Sequence, residues 1–129
     1  MKTKLILIFI FTLLSGTHVF GQETTENVKL AFNAGSAKEM IRYFNKITEL
    51  KINNEGANYS IVKAEPILRE FFKVNPPTAF NYIHKGSSPE GLKYNIGQYT
   101  SGTKSFRVVV LLKNIEGQYV VDTINITEE

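Results

Sequence analysis

From Thr78 to the C-terminus the pattern of apolar and polar side chains changes to period two, and glycine turns cut this stretch into four segments. Residues at i and i+2 of an extended chain share one face, so the pattern dictates strands with one buried side. The segments are 79–85, 93–100, 105–113 and 118–126. They are separated by Ser88-Pro89-Glu90-Gly91, Ser101-Gly102-Thr103 and Glu116-Gly117. Connections this short join antiparallel neighbours, which predicts a four-stranded meander.

Upstream of Thr78 the period changes to that of a helix. Val28, Ala31 and Phe32 fall on one face of a segment over 24–34 that Gly35 ends, and Ser36-Ala37-Lys38-Glu39 is a capping box opening a second helix with Ala37, Met40, Ile41 and Phe44 on its face. A strand over 47–52, the turn Asn53-Asn54-Glu55-Gly56 and a short extended piece near Tyr59 follow. A third helix carries Ala64, Ile67, Leu68, Phe71 and Phe72, with Pro66 limiting how far upstream it begins and Pro76-Pro77 stopping it. The expected fold class is α+β: three N-terminal helices packed on a strongly curved antiparallel sheet.

The parity of the last hairpin predicts its faces. A two- or four-residue loop centred on Glu116-Gly117 puts Phe106, Val108, Val110 and Leu112 beside Tyr119, Val121, Thr123 and Asn125, the better core candidates. The other face then holds Arg107, Val109 and Leu111 beside Val120, Asp122, Ile124 and Ile126. Left wet, its Val109, Leu111, Val120 and Ile124 suit a homodimer through the sheet.

The chain opens with Lys2 and Lys4, the apolar run Leu5 to Leu14 and a short stretch of small and polar residues ending Val19-Phe20-Gly21, the three-part layout of a secretory signal. Cleavage after Gly21 is expected, with Thr17 the alternative. The division is therefore signal peptide 1–21 and a single domain 22–129. The run of ten is too short for a membrane span, which takes roughly 20 residues, so the mature chain is expected to be soluble, either periplasmic or secreted. There is no cysteine, hence neither a disulfide nor a lipid-bearing cysteine. Two of the fifteen Lys and Arg residues leave with the leader while all twelve acids stay, so the formal charge falls from +3 to +1. Such a balance offers no footprint for nucleic acid.

The run Ala34-Gly35-Ser36-Ala37-Lys38-Glu39, Phe71-Phe72 with Asn75-Pro76-Pro77, His84-Lys85-Gly86, Tyr94-Asn95-Ile96-Gly97 and Phe106-Arg107-Val108 resemble the small exported family called domain of unknown function 4783. The element order resembles the cone-shaped nuclear-transport-factor-2-like superfamily. The resemblance implies a fold and an exported address. It carries over no functional residues.

Candidate chemistry is sparse. His84 is the one histidine left after the leader, which excludes a multi-histidine metal site, and no acidic run of metal-loop spacing occurs, so no metal or cofactor is expected. Members of the superfamily include isomerases and dehydratases that use a His or Asp inside the cone, which makes His84 the residue to watch as a proton carrier. Its alternative is a hydrogen bond to backbone near Gly86. Asp122 lies between Val120 and Ile124, a setting that raises a carboxylate pKa, yet Arg107 shares that face and offers a cross-strand ion pair. Glu49 is expected to face outward. Ser60-Ile61-Val62-Lys63 has the spacing of penicillin-recognising serine enzymes, but the chain is too short for that fold, so Ser60 reads as an N-cap or turn residue. Among the six tyrosines, Tyr82 shares a strand face with His84, and Tyr99 shares one with Phe106 and Tyr119. These four, Tyr82, His84, Tyr99 and Tyr119, are the candidate lining of a pocket at the cone's open end.

Two functions fit this inventory. One is an exported non-catalytic binding or scaffolding domain of the cell envelope, holding a small ligand or a partner protein. The other is a small isomerase, dehydratase or hydrolase working through His84 in the cavity.

Overall fold

The computed structural model describes residues 20–129, and the predicted leader, apart from its last two residues, lies outside them. Helix α1 (Phe20–Ala34) passes through the predicted cleavage point after Gly21 and buries Val28, Ala31 and Phe32. Gly35, at φ +61°, turns the chain into α2 (Ala37–Met40). Only half of the capping box forms there. The Ser36 hydroxyl accepts from Glu39 N at 3.1 Å, while the Glu39 carboxylate pairs with Arg42 at 2.9 Å, because Ser36 N is already bonded to Ala31 O. The second helix is also shorter than expected: after one 3₁₀ turn (Ile41–Tyr43), Phe44 opens a strand.

Strand β1 (Phe44–Ile52) returns through a two-residue turn into β2 (Glu55–Ser60), with Asn53 at φ +51° and Asn54 at +67° supplying the left-handed pair that such a hairpin needs. Helix α3 (Ile61–Val74) buries Ala64, Leu68, Phe71 and Phe72. It starts five residues before Pro66, further upstream than expected. Proline there interrupts only the bond to the Val62 carbonyl, close to the helix start, and Val62 is exposed. Strands β3 (Ala79–Ser87), β4 (Lys93–Ser101), β5 (Lys104–Ile115) and β6 (Gln118–Glu128) form the predicted meander.

The sheet order is β2-β1-β6-β5-β4-β3. Every pairing is antiparallel except β1 with β6, which is parallel, so the sheet is mixed where the sequence suggested a wholly antiparallel one. The early strand closes against the last one. Asn53 ties that junction, its N–H donating to Ile126 O and its side-chain oxygen accepting from Glu128 N, both at 2.8 Å.

Two bulges reset which residues face the helices. The β5–β6 turn has two residues, as parity allowed, but the register slips between Leu111 and Leu112, so Val110 faces Ile124 and Val108 faces Ile126. Beyond the slip the predicted faces of β6 are exchanged. Ile124 and Ile126 are fully buried, and Thr123 and Asn125 take the outer side. Arg107 pairs with Thr127, several residues along the strand from Asp122, a separation that an even loop without the slip would also have left, so the expected Arg107–Asp122 ion pair does not form. The second bulge lies between Tyr82 and His84: Ile83 stands 64% exposed, Tyr82 turns inward and His84 outward.

The core sits between the helices and the inner sheet face. At its closed end Phe32 stacks on Phe80 at 4.5 Å and meets Phe72 edge-on at 6.0 Å, while Phe71 meets Phe106 edge-on at 5.3 Å around Tyr99. Gly97 makes this stack possible, because a Cβ there would sit 2.4 Å from Phe80 Cζ.

Candidate functional site

Parity along β4 places Lys93, Asn95, Gly97 and Tyr99 on the inner face. From Tyr99 to Gly97 that face is packed by aromatic rings; from Asn95 onward it opens. Across it, α1 presents Gln22, Thr25 and Glu26, which share a helix face at spacings of three and four. The two surfaces enclose a cleft of about 380 Å³, lined also by Lys85 and Ser87 of β3.

Asn95 is the floor. It is 2% exposed, and its Nδ2 donates to Thr25 Oγ1 at 3.2 Å. That bond uses one of the amide's two N–H groups, so the other N–H and the carbonyl oxygen remain as its means of meeting a ligand. Lys85 stands directly across the strand pair from Asn95, with its ammonium 3.7 Å from Glu26 and 5.4 Å from the centre of the Tyr82 ring. Lys93 pairs with Ser87 in the ladder and lies 5.2 Å from the centre of the Tyr119 ring.

The four predicted lining residues separate in the structure. The Tyr82 hydroxyl donates to Thr25 O at 2.7 Å and the Tyr119 hydroxyl to Gly91 O at 3.0 Å, so these two rings buttress the cleft from behind and carry its lysines. The Tyr99 hydroxyl donates to Asn75 O inside the closed end. Burial pushes both the Tyr82 and Tyr99 phenols well above the ordinary tyrosine value, and for Tyr82 the Glu26 carboxylate adds to the shift; both therefore stay protonated and keep donating. His84 lies on the outer face, exposed, its ring edge-on to Tyr94 at 6.0 Å and above the backbone of Gly86. The bulge at Ile83 has moved it to the side of the sheet away from the cleft, so the cavity base that the enzyme reading required is not in the cavity.

Asp122 sits at the β6 bulge, half-buried, and accepts from Asn45 Nδ2 at 3.3 Å. Glu49 faces outward beside Lys51, 3.3 Å away. Ser60 occupies the N-cap position of α3 without a side-chain capping bond, which agrees with its reading as a cap or turn residue. Among the described residues no group of three or more His, Cys, Asp or Glu side chains is placed to hold a metal ion, and no helix is long and apolar enough to cross a membrane.

Sequence reasoning missed Asn95 and the lysines at 85 and 93. The signal was present: once Tyr99 is assigned to the face of Phe106, parity assigns Gly97, Asn95 and Lys93 to it as well.

Comparison with known proteins places this architecture. The family model for Domain of unknown function (DUF4783) matches residues 25–127. The chain is similar to the crystal structure of a DUF4783 family protein from Bacteroides ovatus, at 30% identity and a TM-score of 0.75, covering 80% of this chain and 93% of that one. A second, from Bacteroides uniformis, is 27% identical with a TM-score of 0.75 over 81% of this chain and 95% of that one. An NTF-2 like protein of unknown function from Silicibacter pomeroyi, 9% identical with a TM-score of 0.61 over 86% and 94%, shares the fold alone. No curated protein matches. With the match spanning all six strands and most of α1, the chain belongs to the domain of unknown function 4783 family and has a nuclear-transport-factor-2-like fold.

Proposed function

We propose that this is an exported, non-catalytic binding domain that holds a small polar ligand in the cleft between α1 and the β3–β4 hairpin. The observation that carries the reading is Asn95: a polar side chain 2% exposed, set at the bottom of a cleft of about 380 Å³, with hydrogen-bonding capacity beyond its bond to Thr25. The amide groups of Asn95 that Thr25 does not engage border the cleft, where a polar ligand can meet them. The lysines at the rim are propped on rings whose hydroxyls are fixed to backbone, so the site is held by rigid elements on both sides. The N-terminal leader layout supports an exported address.

Native mass spectrometry of the protein purified from its own host tests the reading. We expect a non-covalent mass addition that disappears in Asn95→Leu, which fills the floor with an apolar side chain. A bare chain in every gentle preparation overturns it.

A further inference from the structure

We infer that the ligand of this cleft is a hydroxylated monocarboxylate, a sugar acid in chemical terms, its carboxylate at Lys93 and its hydroxyl groups on Asn95 and Glu26. The inference rests on the cleft being a binding site, as proposed above, and goes on to name what fills it.

Charge is the first argument. Of the three ionised groups lining the cleft, Lys85 and Glu26 face each other at 3.7 Å and offset one another. Lys93 makes no ion pair among the described residues; its neighbour is the face of Tyr119. The cleft thus carries one uncompensated positive charge. A monoanion balances it. A phosphate dianion would bring a second negative charge toward Glu26, and a neutral sugar would leave Lys93 unmatched.

Hydrogen-bond chemistry is the second. The groups around Asn95 form a mixed set: its amide both donates and accepts, Thr25 and Ser87 carry hydroxyls, and Glu26 accepts only. Hydroxyl groups, which donate and accept at one atom, satisfy such a set. A wholly apolar acid does not. The space suits the size, since about 380 Å³ lies at the small end of ligand cavities.

The test is an NMR titration of the exported protein with three probes of similar shape: D-glucuronate, D-glucose and glucose 6-phosphate. We expect glucuronate to shift the amide signals of Lys85, Lys93 and Asn95, and glucose to need at least about tenfold more for the same effect, as for the loss of one charged hydrogen bond. Lys93→Gln should weaken glucuronate by about tenfold and leave glucose unchanged, whereas Lys63→Gln, on the exposed side of α3, should alter neither. Equal binding of glucose and glucuronate overturns the assignment of a carboxylate while leaving the cleft as a binding site. Tighter binding of the phosphate overturns it in favour of a dianion. Silence from all three probes overturns the sugar-acid class, and the native mass measurement separately decides whether the cleft is occupied at all.

Discussion

The two ends of the inner sheet face solve opposite problems with the same strands. At the closed end, Phe32, Phe71, Phe72, Phe80, Tyr99 and Phe106 fill the space between α1, α3 and the sheet. At the open end, four residues further back along β4, the residues opposite α1 are Lys93 and Asn95, and no ring fills the gap. The helix changes with the sheet, from Val28, Ala31 and Phe32 to Gln22, Thr25 and Glu26. Apolar packing is concentrated at one end of a single continuous layer and polar groups at the other. Substitutions at the two ends should therefore differ in what they cost.

The largest effect should come from Phe32→Ala, which removes the ring touching Phe72, Phe80 and Tyr99 at once. A loss of about 3–5 kcal/mol is expected by chemical denaturation. A loss under about 1 kcal/mol would mean that the closed end is not the stabilising half. Gly97→Ala should follow with about 1–3 kcal/mol, because its methyl would strike the buried Phe80 ring 2.4 Å away and the stack on Phe32 leaves that ring little room to yield. The companion substitution Phe80→Leu should recover part of the loss, and a double variant no better than Gly97→Ala alone would locate the strain elsewhere.

What could be read in advance divides along the same line. Alternation fixed all four meander strands, since a face that must be dry shows its period directly in residues such as Phe106, Val108, Val110 and Leu112. Turn chemistry located the hairpins for the same reason: Asn53-Asn54 and Glu116-Gly117 need left-handed backbone. The bulges at Ile83 and in β6 near Asp122 were not legible. A bulge adds one residue with no residue type of its own, yet everything beyond it changes face, which is how Ile124 entered the core and His84 left the cavity. The parallel partner of β1 was equally hidden, because nothing local in Phe44–Ile52 says which distant strand it meets. Backbone bonds from side chains were hidden too: Asn33, on α1, bonds both the N–H and the C=O of Phe80 at 3.0 and 3.1 Å, holding edge strand β3 to the helix.

A middle-sized effect should come from Tyr99→Phe, which leaves Asn75 O without the phenol donor and costs about 1–3 kcal/mol. The same residue predicts a pH dependence. Burial raises the Tyr99 and Tyr82 phenols above the unfolded value of about 10, so the folded chain holds protons that the unfolded chain releases. Their contribution is complete below pH about 10 and is lost as the pH rises from there through the raised folded values. Alkaline unfolding curves should fall more steeply for the parent protein than for Tyr82→Phe/Tyr99→Phe, and parallel curves would show that other groups set the alkaline limit.

The smallest effect should come from Glu26→Gln at the open end. Its ion pair with Lys85 is 3.7 Å long and both side chains are 55% exposed, so solvent screens it and the stability change should stay below about 1 kcal/mol. Its signature is electrostatic. Glu26 is the lesser of two causes raising the Tyr82 phenol, after burial, so removing its charge should move the Tyr82 ultraviolet titration downward without returning it to the ordinary tyrosine value. An unmoved titration would place the carboxylate too far from the ring to act on it. A full return would mean that burial of the phenol against Thr25 contributes nothing, and that the open end is wetter than the 2.7 Å bond from Tyr82 to the Thr25 carbonyl implies.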